Sequence, residues 1–199
     1  MRANRLIPIA VLAFAAACSD TATSPTSLTS VGGPLAFQVT PGSYTDDLAD
    51  PQTGIQDANA PSGGHLTNQS ATPTCVVNPD MSIDCNSYSI GGVGNLNADV
   101  LLVANWTATI DCNNPGNNKN NPIESHTTDF EDESSATLTP GRNGTLRVGT
   151  RSVSPGDVEQ VCPNDNWTPE IRGGTLTLES FSYTITFFGF SAPAVEIDG

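Results

Sequence analysis

The sequence predicts an all-β protein, an antiparallel β-sandwich, and three observations carry that prediction. Residues Ala98–Cys112 alternate, with Ala98, Val100, Leu102, Ala104, Trp106, Ala108, Ile110 and Cys112 all on one parity; a period of two is that of a strand with one buried face. Turn clusters such as Asn78-Pro79-Asp80 and Pro140–Gly144 punctuate short β-branched runs. Apolar residues make up 37% and charged residues 14% of the chain, below the ~45–50% and ~25% of ordinary domains. Thr, Ser, Asn, Gly and Pro take their place, and these compete with or break a helical backbone. Within the class, immunoglobulin-like topology is favoured, with a jelly roll or small barrel as alternatives.

The chain opens with a short positive region, Met1, Arg2 and Arg5, followed by an apolar run of 12 residues, Leu6–Ala17. That length suits a secretory segment of ~7–15 residues and falls short of the ~20 needed to span a bilayer. Residues 1–17 therefore read as a signal peptide, and Ala15-Ala16-Ala17 fits the small-residue cleavage rule. Ala16, Ala17 and Cys18, followed by Ser19, resemble the lipobox of bacterial lipoproteins, although Ala15 stands where that family usually has Leu. The resemblance implies that Cys18 carries lipid and becomes the first residue of the mature chain. With Ser19 rather than Asp after the cysteine, it implies sorting to the outer membrane. The expected partner is thus a membrane, reached through lipidated Cys18, in a bacterial cell envelope. Two or three acyl chains, at ~0.8 kcal/mol per buried CH₂, anchor stably. Residues 18–34 hold one Leu and one Val and no periodicity, a composition that cannot offset chain entropy and reads as a flexible linker.

The folded domain is expected over residues 35–199, with its core at about 71–190. Leu35–Thr40 reads as the first strand, and residues 41–64, rich in Pro, Gly and Asp, as a long loop. Thr74–Gly92 reads as a hairpin around Asn78–Asp80, with Tyr88 and Ile90 continuing its return strand. Cys112–Pro122 is an Asn-rich loop. Ser134–Thr139 and Thr145–Thr150 flank Pro140–Gly144 as a second hairpin, and Val158–Cys162 reads as a short strand. Leu176 and Leu178 lie on the opposite parity to Phe181, Tyr183, Ile185 and Phe187, which predicts a bulge near Glu179–Ser180.

Five cysteines is an odd number for a secreted chain. With Cys18 lipidated, four remain. The hairpin sets Cys75 opposite Cys85, which leaves Cys112 for Cys162. In the loop-entropy account these bridges contribute roughly 3 and 4 kcal/mol. A zinc site is the rival use, but no closely spaced cysteine pair supports it.

Seven bases face 21 acids, a net charge of −14, and without Arg2 and Arg5 the balance is −16. Such a surface repels phosphate backbones, so nucleic acid is not an expected partner. Asp129, Glu131 and Glu133 share one side of an extended chain and are the candidate metal ligands, against the plainer reading of a solvated acidic run. His126 could couple with a nearby carboxylate such as Asp129 as a base, and His65 has no visible partner. Arg142, Arg147 and Arg151 form the one basic cluster, read as internal charge balance. Trp106 has core parity. Trp167, with Asn166 and Asp165, is the candidate ligand-binding set, since an exposed indole beside polar groups suits a sugar; packing of Trp167 over the sandwich end near Cys162 is the competing reading. The sequons at Asn68, Asn105, Asn143 and Asn166 carry little weight in a bacterial lipoprotein. No catalytic residue and no cofactor is assigned. The function read from the sequence is a non-enzymatic envelope β-sandwich that binds carbohydrate or protein or serves structurally. The alternatives are an envelope hydrolase using paired carboxylates and a calcium-stabilised adhesion module.

Overall fold

The alternating run at residues 98–112 forms the longest strand, and the other elements are arranged around it. The structure, a computed structural model, describes residues 38–67, 71–114, 116, 122, 124–156 and 162–199, all within one unit, Ala36–Gly199. The proposed signal peptide, Cys18, the linker at 18–34, Asn68 and residues 157–161 lie outside the described residues.

Among the described residues twelve strands follow one another: β1 (Gly42–Thr45), β2 (His65–Leu66), β3 (Thr74–Val77), β4 (Ile83–Cys85), β5 (Tyr88–Gly91), β6 (Ala98–Asn113), β7 (Glu124–Leu138), β8 (Leu146–Val148), β9 (Arg151–Val153), β10 (Thr168–Ile171), β11 (Thr177–Phe187) and β12 (Val195–Asp198). All pairings are antiparallel. The large sheet holds β7, β6, β11 and β12 side by side, with β10 pairing the far end of β6 beyond β11. Opposite it stand two smaller sheets, β1-β3-β4-β9 and β2-β5-β8.

The core follows the parity of β6. Its eight even-numbered residues from Ala98 to Cys112 are at most 1% exposed. Leu102, Trp106, Tyr183 and Phe187 of the large sheet pack in one cluster with Val77, Ile83, Ile90 and Leu146 of the small sheets. Burying each such side chain contributes about 1.5–3 kcal/mol. Three polar tips are satisfied inside this cluster. The Trp106 indole N–H donates to the Met81 carbonyl (2.9 Å), and the Tyr88 and Tyr183 hydroxyls meet at 3.0 Å. Both disulfides form, Cys75–Cys85 with Cα atoms 4.0 Å apart and Cys112–Cys162 at 5.8 Å.

The antiparallel sandwich is the description that these pairings support, without the immunoglobulin qualifier. The bulge also falls as expected, with the register shifting between Leu178 and Ser180. Several expectations are corrected. Gln38–Thr40 is not a strand; the first strand is β1, inside the stretch expected to be a loop. That stretch is held down by Ile55 and Ala60, which join the core, and by a 3₁₀ turn at Asp57–Asn59. Tyr88 and Ile90 do not prolong β4. Asn86 closes the hairpin by hydrogen bonds to Thr74 N–H and Thr72 C=O, and β5 crosses to the three-stranded sheet. Residues 134–139 and 145–150 do not pair with each other: β7 spends its length on β6, and β8 pairs with β5. The turn between them carries the chain from one layer to the other. Finally, Cys162 is not in a strand.

Candidate functional site

The β6–β7 ladder joins 15 residue pairs, from Ala98–Leu138 to Cys112–Glu124. Odd residues pair with odd and even with even, so each strand shows one parity to the core and the other to the outer face. On β7 the outer set includes Ser125, Thr127, Asp129, Glu131 and Glu133, all exposed. The acidic run therefore stands on a flat sheet surface, opposite Thr107, Asn105 and Val103 of β6.

Several outer carboxylates are held by their neighbours. Thr107 donates its hydroxyl to Asp129, and Thr137 donates to Asp99 at 2.6 Å. Asp111 accepts from Ser125 (2.7 Å) and from Arg172 through Nη2 (2.7 Å) and Nε (3.2 Å). The Arg172 guanidinium, then the Ser125 hydroxyl, hold the Asp111 carboxyl below its ordinary range, and Asp111 in turn raises Arg172. Arg172 is a residue that sequence reasoning missed. The turn that aims it at Asp111 follows from β10 lying beside the end of β6, a placement no local pattern announces.

The candidate metal ligands Asp129, Glu131 and Glu133 sit two residues apart on one strand, so their Cα atoms are about 7 Å apart in file. Among the described residues no three His, Cys, Asp or Glu side chains gather as a metal-binding set. His126 and Asp129 do not form a couple, because their positions have opposite parity: His126 is half-buried on the core side and Asp129 is exposed on the outer side. The His126 Nδ1 atom is buried with no hydrogen-bond partner. His65 is exposed and its Nδ1 lies 2.8 Å from the Gly63 carbonyl.

Trp167 is half-buried and packs, with Cys162, Ile171 and Leu176, against Ala108, Ile110 and Cys112. Its ring closes the inner side of the large sheet where the small sheets end. Asp165 and Asn166 are exposed, and Asn166 donates to the Asn164 side chain from both its main-chain and side-chain nitrogens. Trp106 is fully buried, as its parity required. The three arginines do not act together. Arg142 is in an exposed turn, whereas Arg147 and Arg151 line two different open grooves, of about 590 and 660 Å³. The first groove adds Thr67, Tyr88 and Thr145, the second Val76, Asp84 and Asn86. Burial pushes the Tyr88 and Tyr183 hydroxyls up, that of Tyr183 to about 12.

Compared with protein families, curated proteins and solved structures, the chain matches none of them.

Proposed function

We propose that this chain is a lipid-moored component of a bacterial envelope that acts by binding rather than by catalysis. The observation that carries the reading is the cysteine pairing. Cys75–Cys85 and Cys112–Cys162 use every cysteine of the sandwich, which leaves Cys18 for another use. Two disulfides suit an oxidising compartment, and a single cysteine closing an apolar leader suits acylation.

The outer face of the large sheet supports a binding role. Its acids stand in file along β7, and Asp99, Asp111 and Asp129 are held by hydroxyls or by Arg172. Hydrolysis of a glycosidic bond needs two carboxyl groups flanking the bond from opposite sides, whereas this arrangement displays charge across a plane. A protein partner fits that surface better than a sugar. The Trp167 ring that could stack on a sugar is engaged with the end of the core.

Mass spectrometry of the mature protein from the membrane fraction tests the reading. The expected result is an amino-terminal peptide beginning at acylated Cys18, with Cys75–Cys85 and Cys112–Cys162 linked. An unmodified Cys18 peptide in the soluble fraction overturns the mooring, and four alkylatable thiols overturn the oxidised compartment.

A further inference from the structure

The two edges of the large sheet are finished differently. At the β12 edge, the segment that follows β1 takes up part of the outward main chain. The Glu196 N–H donates to the Asp46 carboxylate (3.0 Å), and the Gln56 N–H donates to the Ala194 carbonyl (2.8 Å). At β7 the opposite holds. Thr109 of β6 turns its N–H to the Thr175 hydroxyl (3.0 Å), and its carbonyl accepts from the Arg172 N–H (2.8 Å). The odd residues of β6 therefore address β10 and β11, and the even ones address β7. Because the ladder pairs like parity with like, the odd residues of β7 point their N–H and C=O groups away from β6.

Among the described residues no main-chain group bonds to that outer edge. Two side chains reach it: the Thr128 hydroxyl donates to the Asp129 carbonyl (3.3 Å), and the Asp132 carboxylate accepts from the Glu133 N–H (3.0 Å). Among the described residues, the main chain between Ser125 and Glu131 thus offers alternating donors and acceptors at the register that a further strand would take. Unpaired strand edges of this length are ordinarily shortened, plugged or covered, as β12 is.

We propose that this edge of β7, unpaired among the described residues, takes an extended segment of another protein as an added strand, and that this segment carries Lys or Arg at every second residue. Main-chain pairing supplies the affinity, and the alternate side chains supply the choice of partner. Charge selects the chemistry. Glu124, Asp129, Glu131, Asp132 and Glu133 lie on β7, which holds no Lys or Arg. Asp129, Glu131 and Glu133 are exposed on one face at a two-residue spacing, so cations spaced by two on the incoming strand meet them one to one. A second copy of this chain is the poorer occupant, because β7 holds five acids and no Lys or Arg, so two copies bring like charge to one edge and supply none of the cations that charge complementarity calls for. The proposal rests on the binding role argued above, but not on acylation of Cys18.

The test uses a fluorescein-labelled decapeptide of alternating Lys and Thr, with fluorescence anisotropy as the readout. A second peptide has the same sequence with N-methyl groups on every second residue, which keeps the charge and removes the strand donors along one edge. Saturable one-to-one binding of the first peptide is expected, with at least about tenfold weaker binding of the second. Thr127→Pro removes one outward N–H without touching a bond to β6, and should weaken binding about as much. Asp129→Asn with Glu131→Gln should weaken it several-fold. The proposal fails if the first peptide does not bind, or if the methylated peptide binds equally well, since charge alone then explains the attraction. It also fails if folded Thr127→Pro binds like the wild type. If Thr127→Pro does not fold, the methylated peptide decides. Dimerisation of the wild type that Thr127→Pro abolishes overturns the choice of occupant in favour of a second copy. None of these outcomes depends on the state of Cys18, so failure here and failure of the membrane mooring are separable.

Discussion

β6 belongs to two different structures along its length. From Ala98 to Trp106 its inward side chains meet a second layer built from the small sheets, with Ile83, Ile90 and Leu146 across the interface. From Ala108 to Cys112 they meet Phe130, Cys162, Trp167, Ile171 and Leu176 instead. The strand is the reason. Sixteen residues at about 3.4 Å each run far beyond facing strands of only two to four residues. The near half is therefore stabilised by sheet-on-sheet burial, and the far half by a covalent staple and an indole. Phe130, stacked on Trp106 with ring centres 5.9 Å apart, and Leu176 touch both clusters and couple the halves.

The comparison can be broken from either side. The largest effect is expected from Leu102→Ala in the near half. A fully buried leucine lost from a two-layer core should cost about 2–5 kcal/mol, and denaturant unfolding should move as one transition for the whole domain. A smaller and more local effect is expected from Cys112→Ala with Cys162→Ala, about 2–4 kcal/mol. Hydrogen exchange should then rise first at residues 108–113 and 124–130 while residues 98–106 stay protected. Uniform loss of protection in that double variant would show that the halves are one cooperative body.

The smallest effect sharpens the contrast through pH. Tyr88 and Tyr183 lie only in the near half, and their folded-state pKa values are raised by burial. Stability from such groups is fully present below the ordinary value near 10 and falls as the pH rises through the folded value, about 12 for Tyr183. An alkaline titration should loosen the near half first. Tyr88→Phe with Tyr183→Phe should flatten that dependence in a melting series between pH 10 and 12.

How far the molecule could be read from residues alone tracks the same division between parity and placement. β6 was legible because every second side chain is apolar, and the bulge at Glu179 was legible because two apolar sets disagree in phase. β7 was mostly invisible. Its core side includes His126, Thr128, Asp132 and Ser134 with Phe130, so no apolar alternation announces the strand; its form is imposed by β6. The crossings of β5 and β8 between layers were hidden because short strands carry no mark of which neighbour they will take. Of the candidate site, the acids and their two-residue spacing were legible, but the outward edge of β7 behind them needed the register. The packing of Trp167 over the sandwich end near Cys162 was legible as one of its two readings, and the reason it holds is that β6 outruns the facing layer.

The two faces of β7 differ so sharply that the strand keeps a reading frame of its own. Removing a single residue near Glu124 would turn Asp129, Glu131 and Glu133 toward the core and swing Phe130 into water, whereas the same deletion in the connection before β7 leaves every later side chain in phase. Natural or engineered variation in length is therefore expected to be purged from the strand itself.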